Sequence, residues 1–307
     1  GGGGAVSVFN NLLRSITVLT WDDPGTITYG DELTLNEHLD ATANVPGLFV
    51  YDPPPGTRLA AGLGQPITAT FVPTDTANFH VVVTSLTIDV LPAPLTVTPN
   101  DAQKQFMAPL PIFTATFDGF VNGDTGADLD IPPSFFTTAS INSAVGQYQI
   151  IVGGTEDSNY DITHINPPDR VLKVGRATPV ISWPDPAAIE FGVGLGSDQL
   201  NATVNQNGQF TYDPPAGTML DVGVGQSLKV AFVPFDNLNY TSAEAERTID
   251  IVRARPVIDW PNPADITFGQ LLGGAQLNAS TAAMGEFTYA PSAGFRLSVG
   301  DLQQLSV

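Results

Sequence analysis

The chain contains no cysteine, which excludes disulfides, thiolate nucleophiles and zinc–cysteine sites. Histidine occurs three times, as His38, His80 and His164. They lie far apart and form no cluster that would hold a transition metal. Basic residues are scarce: 11 Lys plus Arg stand against 31 Asp plus Glu, a net charge of −20. Such a chain repels nucleic-acid phosphates and anionic lipid surfaces. No apolar run approaches the roughly 20 residues that a membrane helix needs. Gly1 to Gly4 show neither a basic segment nor an apolar signal core, so any export signal is expected to have been removed.

Glycine (30) and proline (26) are plentiful, and they punctuate short alternating runs. Ile67-Thr68-Ala69-Thr70-Phe71, Leu86-Thr87-Ile88-Asp89-Val90, Leu228-Lys229-Val230-Ala231-Phe232 and Thr248-Ile249-Asp250-Ile251-Val252 alternate as half-buried strands do. Helices of normal length have little room. The chain is expected to be all-β, a set of tandem antiparallel, immunoglobulin-like sandwiches in an elongated rod.

Self-similarity sets the boundaries. Trp21-Asp22-Asp23-Pro24 recurs as Trp183-Pro184-Asp185-Pro186 and Trp260-Pro261-Asn262-Pro263. An aromatic-Gly pair follows each: Tyr29-Gly30, Phe191-Gly192, Phe268-Gly269. Phe49-Val50-Tyr51-Asp52-Pro53 matches Phe210-Thr211-Tyr212-Asp213-Pro214 and Phe287-Thr288-Tyr289-Ala290-Pro291. Five segments result: an N-terminal extension at 1–14, a repeat at 15–93, a different β unit at 94–175, a second repeat at 176–254, and a third at 255–307 whose closing hairpin has no counterpart. Proline-bearing links such as Leu91-Pro92-Ala93-Pro94 stiffen the joints.

The recurring Asp-x-x-Asn-aromatic element, with Asp75 and Asn78 in one copy and Asp236 and Asn239 in another, reads as a turn in which Asp and Asn bond their own backbone. Its functional alternative is calcium, although one Asp and one Asn per copy fall short of six to eight oxygens. No other cofactor is expected. The loop Gly123-Asp124-Thr125-Gly126-Ala127-Asp128-Leu129-Asp130 lacks calcium-loop spacing and reads as a solvated acidic loop. No Ser-His-Asp set or placed carboxylate pair appears, so no enzyme and no catalytic residue is expected. For an isopeptide cross-link, Lys173 on a final strand is the lysine to check. Ala5-Val6-Ser7-Val8-Phe9 is the one strand-like stretch outside the repeats. Val6, Val8 and Phe9 are therefore candidate assembly residues that would add a strand to the unfinished fourth unit of a neighbouring molecule.

Residues 94–175 resemble the MBG domain of bacterial surface proteins. Leu95-Thr96-Val97-Thr98, Gly119-Phe120-Val121-Asn122-Gly123-Asp124-Thr125, Val145-Gly146-Gln147-Tyr148-Gln149-Ile150, Asn159-Tyr160 and Leu172-Lys173-Val174 carry the resemblance. The usual Tyr-Gly near the start is replaced by Gln105-Phe106-Met107, so the turn there is expected to differ. The flanking repeats are similar to bacterial Ig-like repeats that accompany MBG domains. The resemblance implies a non-catalytic structural or adhesive stalk at the bacterial cell surface. The alternatives are a filament subunit joined head to tail by strand donation and an array of glycan- or ligand-binding modules. The expected partners are further copies of the chain or its own continuation.

Overall fold

The computed structural model describes residues 16–307. Two compact units divide the chain, at Ala177/Thr178, and no helix occurs among the described residues.

The first unit begins with β1 (Leu19–Thr20), β2 (Thr26–Thr28), β3 (Thr42–Ala43), β4 (Gly47–Asp52), β5 (Gly62–Pro73) and β6 (Val82–Leu91). β2-β6-β5-β4 make one sheet and β1-β3 a small second one. Alternation puts Ile67, Ala69 and Phe71 of β5 and Ile88 and Val90 of β6 inside, where each is almost fully buried. Ile27 of β2 joins them from the same sheet, and Leu33 and Leu39 pack against them. β5 holds an irregular register between Gly62 and Gln65. Gly64, at φ 64°, supplies the left-handed residue of the bulge, and its N–H donates to Asp89 Oδ1 at 2.7 Å.

β7 (Ala93–Pro99) follows after a single residue. Then come β8 (Ala102–Gln105), β9 (Ala115–Asp118), β10 (Ser134–Phe136), β11 (Gly146–Gln149), β12 (Ile151–Gly153), β13 (Tyr160–His164) and β14 (Val171–Gly175). Two three-stranded sheets, β13-β7-β9 and β11-β14-β8, and the pair β10-β12 enclose two apolar clusters. Phe135 packs against both.

In the second unit, β15 (Ile189–Glu190), β16 (Gly208–Asp213), β17 (Gly223–Pro234) and β18 (Ala243–Val252) repeat the first module's sheet in the order β15-β18-β17-β16. Leu228, Val230, Ile249, Ile251 and Trp183 fill its core. Residues 255–307 form only isolated bridges, among them Asp259↔Ser280, Leu271↔Arg296 and Ala290↔Ser306.

The sheets depart from a purely antiparallel pattern. β2 runs parallel to β6, β15 to β18, β13 to β7 and β14 to β8. In the first two repeats a short early strand pairs with the last one. Such a contact spans the whole module and leaves no turn signal between the paired segments.

Of the three repeat tryptophans Trp183 is buried, while Trp21 and Trp260 are half-buried. Trp21, Trp183 and Trp260 donate their indole N–H to the carbonyls of His38, Gln199 and Gln276 at 2.9–3.0 Å. Each meets Tyr51, Tyr212 or Tyr289 edge-on at 5.4–5.7 Å. His38 stands where the other repeats have glutamine, and its Nδ1 accepts the Thr34 N–H at 3.1 Å. Gln199 and Gln276 serve the same loop through their Oε1. The X–Pro bonds at Asp52-Pro53, Asp213-Pro214 and Ala290-Pro291 are all cis.

Candidate functional site: the joint between the first two modules

The aromatic-Gly turn of the first repeat is where two modules meet inside the first unit. The Tyr29 ring packs edge-on against Tyr160 of β13, with centroids 5.4 Å apart at 84°. Tyr29 belongs to the packing shells of both modules. Its hydroxyl donates to Asp124 Oδ2 at 2.9 Å, and the Tyr160 hydroxyl donates to the same oxygen at 2.7 Å. The Val121 N–H in turn donates to the Tyr160 oxygen at 3.1 Å. One carboxylate thus gathers a hydroxyl from each module. Hydrogen bonds to a charged acceptor contribute about 1.5–3 kcal/mol when shielded, less at this half-buried site.

Backbone bonds reinforce the joint. Ala61 N–H donates to Asn159 Oδ1 at 2.9 Å, and Ala93 N–H to the Asn159 carbonyl, also at 2.9 Å. Asn159 is itself oriented by Asp157, whose Oδ1 accepts its N–H at 2.8 Å. Gly30 has φ 106°, and a Cβ there would stand 2.8 Å from Val121 Cγ2. Glycine therefore permits both the turn and the close approach.

The electrostatics favour neutral tyrosines. Burial, opposed by the Val121 amide and reinforced by Asp124, pushes the Tyr160 hydroxyl well above the ordinary tyrosine range. An ionised Tyr160 would face the Asp124 carboxylate inside a hydrogen bond that needs its proton.

The expectation of a solvated acidic loop over 123–130 holds for Asp128 and Asp130, which are exposed, and is corrected at Asp124, which is half-buried. Asp124 is the clasp. Asp128 Oδ2 accepts the Thr125 N–H and hydroxyl, both at 2.8 Å, which holds its carboxyl below the usual range. Asp130 Oδ2 accepts the Ser158 N–H at 3.1 Å. The loop is stitched to itself and to the turn before β13.

The other sequence candidates remain separate. Asp75 Oδ1 accepts the N–H groups of Ala77 and Asn78, each at 3.1 Å, and its Oδ2 the Asn78 amide at 2.7 Å. Asp236 receives the Asn239 N–H at 3.2 Å and its amide at 2.9 Å. Both are closed turns. Among the described residues no group of three or more His, Asp or Glu is placed to hold a metal ion. Val6, Val8 and Phe9 lie outside the described residues. Lys173 is exposed; the buried lysine is Lys104, whose ammonium donates to the carbonyls of Ala108 at 2.9 Å and Ile141 at 3.1 Å. Burial lowers its pKa, and the two carbonyls tie the turn after β8 to the 139–143 loop.

The turn after β8 keeps the shape of the aromatic-Gly turns without their glycine. Met107 has φ 63°, beside 106° at Gly30, 90° at Gly192 and 97° at Gly269. The substitution changes the residue and preserves the left-handed backbone, at a cost of roughly 1–2 kcal/mol.

These strands, the Gly119–Asp124 loop and the Asn159-Tyr160 pair coincide with a known family. Residues 95–167 carry an MBG domain of the YGX type. No curated protein matches the chain. Among solved structures the chain is similar to Drosophila N-cadherin EC1-3, at 14% identity and TM-score 0.24, covering 81% of this chain and 92% of that one. It is also similar to Drosophila N-cadherin EC1-4, at 13% identity and TM-score 0.22, covering 84% and 73%. A third is the N-terminal four Ig domains of Dscam1 isoform 8.4, at 10% identity and TM-score 0.16, covering 96% and 91%. In the second unit, the counterpart of Tyr29 is Phe191, which has no hydroxyl. Beside it Val222, Arg253 to Pro256 and Ala283 line a cleft of about 350 Å³. The clasp is thus a property of the joint with the MBG domain.

Proposed function

We propose that the chain is a non-catalytic structural and adhesive stalk segment of a bacterial extracellular surface protein. The observation that carries this reading is the shared Asp124 carboxylate. It joins Tyr29 of one module to Tyr160 of the next, where a stalk must pass load from module to module. The MBG domain, the repeated Trp-Tyr cores and the proline-bearing links support it. So does the close packing at Gly30, which resists bending at that joint.

Single-molecule pulling of the whole chain tests the proposal. In the wild type the first module and the MBG domain should yield in one rupture event, because the joint must open before either core is exposed. Asp124→Ala leaves both hydroxyls without their acceptor and should split the event into two, the first at lower force. Two independent ruptures in the wild type would refute the stalk joint.

A further inference from the structure

Tyr29 and Tyr160 are surrounded differently from the tyrosines inside the repeats. Tyr51, Tyr212 and Tyr289 lie against the rings of Trp21, Trp183 and Trp260 and of Phe49, Phe210 and Phe287. The Tyr148 hydroxyl donates to the Ala144 carbonyl, which does not take up a proton. Tyr29 and Tyr160 instead touch each other, with ring centroids 5.4 Å apart. Both hydroxyls donate to one carboxylate oxygen.

A phenol gives up an electron most readily when its proton leaves with it, to a base already in hydrogen-bond contact. Asp124 Oδ2 stands 2.9 and 2.7 Å from the two hydroxyl oxygens, within the reach of proton transfer. Asp124 is half-buried, so it passes each proton on to water. The unpaired electron of a phenoxyl radical resides on the oxygen and on the ring carbons ortho and para to it. The ortho carbons flank the hydroxyls that converge here. Two reactants held in contact meet at effective molarities that reach about 10⁵–10⁸ M when well oriented. The rings cross at 84°, so a bond between them requires one ring to turn. Tyr29 is half-buried and turns about a broad outer torsion, while Tyr160 is only 6% exposed.

We propose that Tyr29 and Tyr160 form an oxidative cross-linking site, where a one-electron oxidant driven by a peroxide joins the first module to the MBG domain through a dityrosine bond. Tyr29, the more exposed ring, loses an electron to the oxidant and its hydroxyl proton to Asp124. Tyr160 loses an electron through Tyr29, and its proton goes to the same oxygen once the first has passed to water. A carbon–carbon bond forms between one ortho carbon of each ring. The two ortho hydrogens leave as protons, and each phenol oxygen regains one. The net loss is two electrons and two protons. The electrons cleave the peroxide O–O bond, whose oxygens take up the protons. The chain has no cysteine, and this bond acts as a disulfide would across the joint: it closes the loop from residue 29 to residue 160 and restrains the unfolded chain. The site depends on the contact geometry alone and stands whether or not the joint bears load.

The test is photo-oxidation of the whole chain with a ruthenium(II) polypyridyl complex and persulfate, at about 10 µM so that encounters between molecules are rare beside an intramolecular step. Cleavage by trypsin at Arg14, Arg58, Lys104 and Arg170 releases Tyr29 within 15–58 and Tyr160 within 105–170. Wild type should give a monomer lighter by two hydrogens, with dityrosine fluorescence and with these two peptides joined at Tyr29 and Tyr160. Tyr29→Phe introduces the residue that the other repeats carry at 191 and 268, so it is compatible with the fold, and it should lower the yield of joined peptide at least about tenfold. Asp124→Asn keeps an oxygen acceptor and removes the base, and should slow coupling at least about tenfold. A wild type that yields no joined peptide, an equal yield in Tyr29→Phe, equally fast coupling in Asp124→Asn, or links formed chiefly between molecules would each overturn the proposal.

Discussion

Gly30 concentrates two separable constraints, and substituting it measures the joint. In Gly30→Ala the new Cβ would stand 2.8 Å from Val121 Cγ2 and 2.9 Å from its Cβ, at a φ of 106°. The backbone strain costs roughly 1–3 kcal/mol. The overlap with a stiff β-branched side chain adds about 1–3 kcal/mol. Gly192→Ala is the internal control: the same turn has φ 90° and nothing within 4 Å of the added Cβ. It carries the backbone cost alone. Hydrogen exchange on the intact chain reads the two sites separately, since each amide reports its own opening equilibrium. At about 1.4 kcal/mol per factor of ten, Gly30→Ala should speed exchange across β2 and the 119–124 loop by about 30-fold to about 20,000-fold. Gly192→Ala should affect only its own module, by about fivefold to a hundredfold. Equal effects at the two sites would show that Val121 does not press on Gly30, and the tight joint would be wrong.

Two further predictions concern pH. Tyr160 is neutral in the fold beyond the point where the unfolded chain ionises, so the unfolded state binds fewer protons above about pH 10 and stability falls as pH rises through that range. Tyr160→Phe should flatten this alkaline loss in urea midpoints measured against pH; an unchanged slope would remove Tyr160 as its source. Lys104 has the opposite sign, because its folded pKa lies below that of the unfolded chain. The unfolded state binds more protons between the two values, and stability rises with pH up to about 10.5. Lys104→Met should erase that rise, and a persisting rise would assign it to another group.

The repeats made much of the fold legible, because period-2 alternation and the Trp, aromatic-Gly and Phe-x-Tyr-x-Pro markers are local patterns. The parallel contacts of β2 with β6 and β15 with β18 were not, since each joins the two ends of a module. The clasp was hidden for the same reason. Tyr29 and Asp124 are 95 residues apart, and an acid among three in a glycine-rich loop looks solvated until a distant hydroxyl arrives. Lys104 was overlooked for Lys173 because alternation alone does not say which face of a short strand is covered. A signal was nevertheless present in the differences among copies. Only the first repeat puts Tyr where the others have Phe191 and Phe268, and only it puts Leu48 and Val50 where the others have Gln209, Thr211, Glu286 and Thr288. Shared positions report what every copy needs to fold. A hydroxyl or an apolar pair found in one copy alone is not required by the sandwich. It answers to something outside that module's own core, which for the Tyr29 hydroxyl is the neighbouring module.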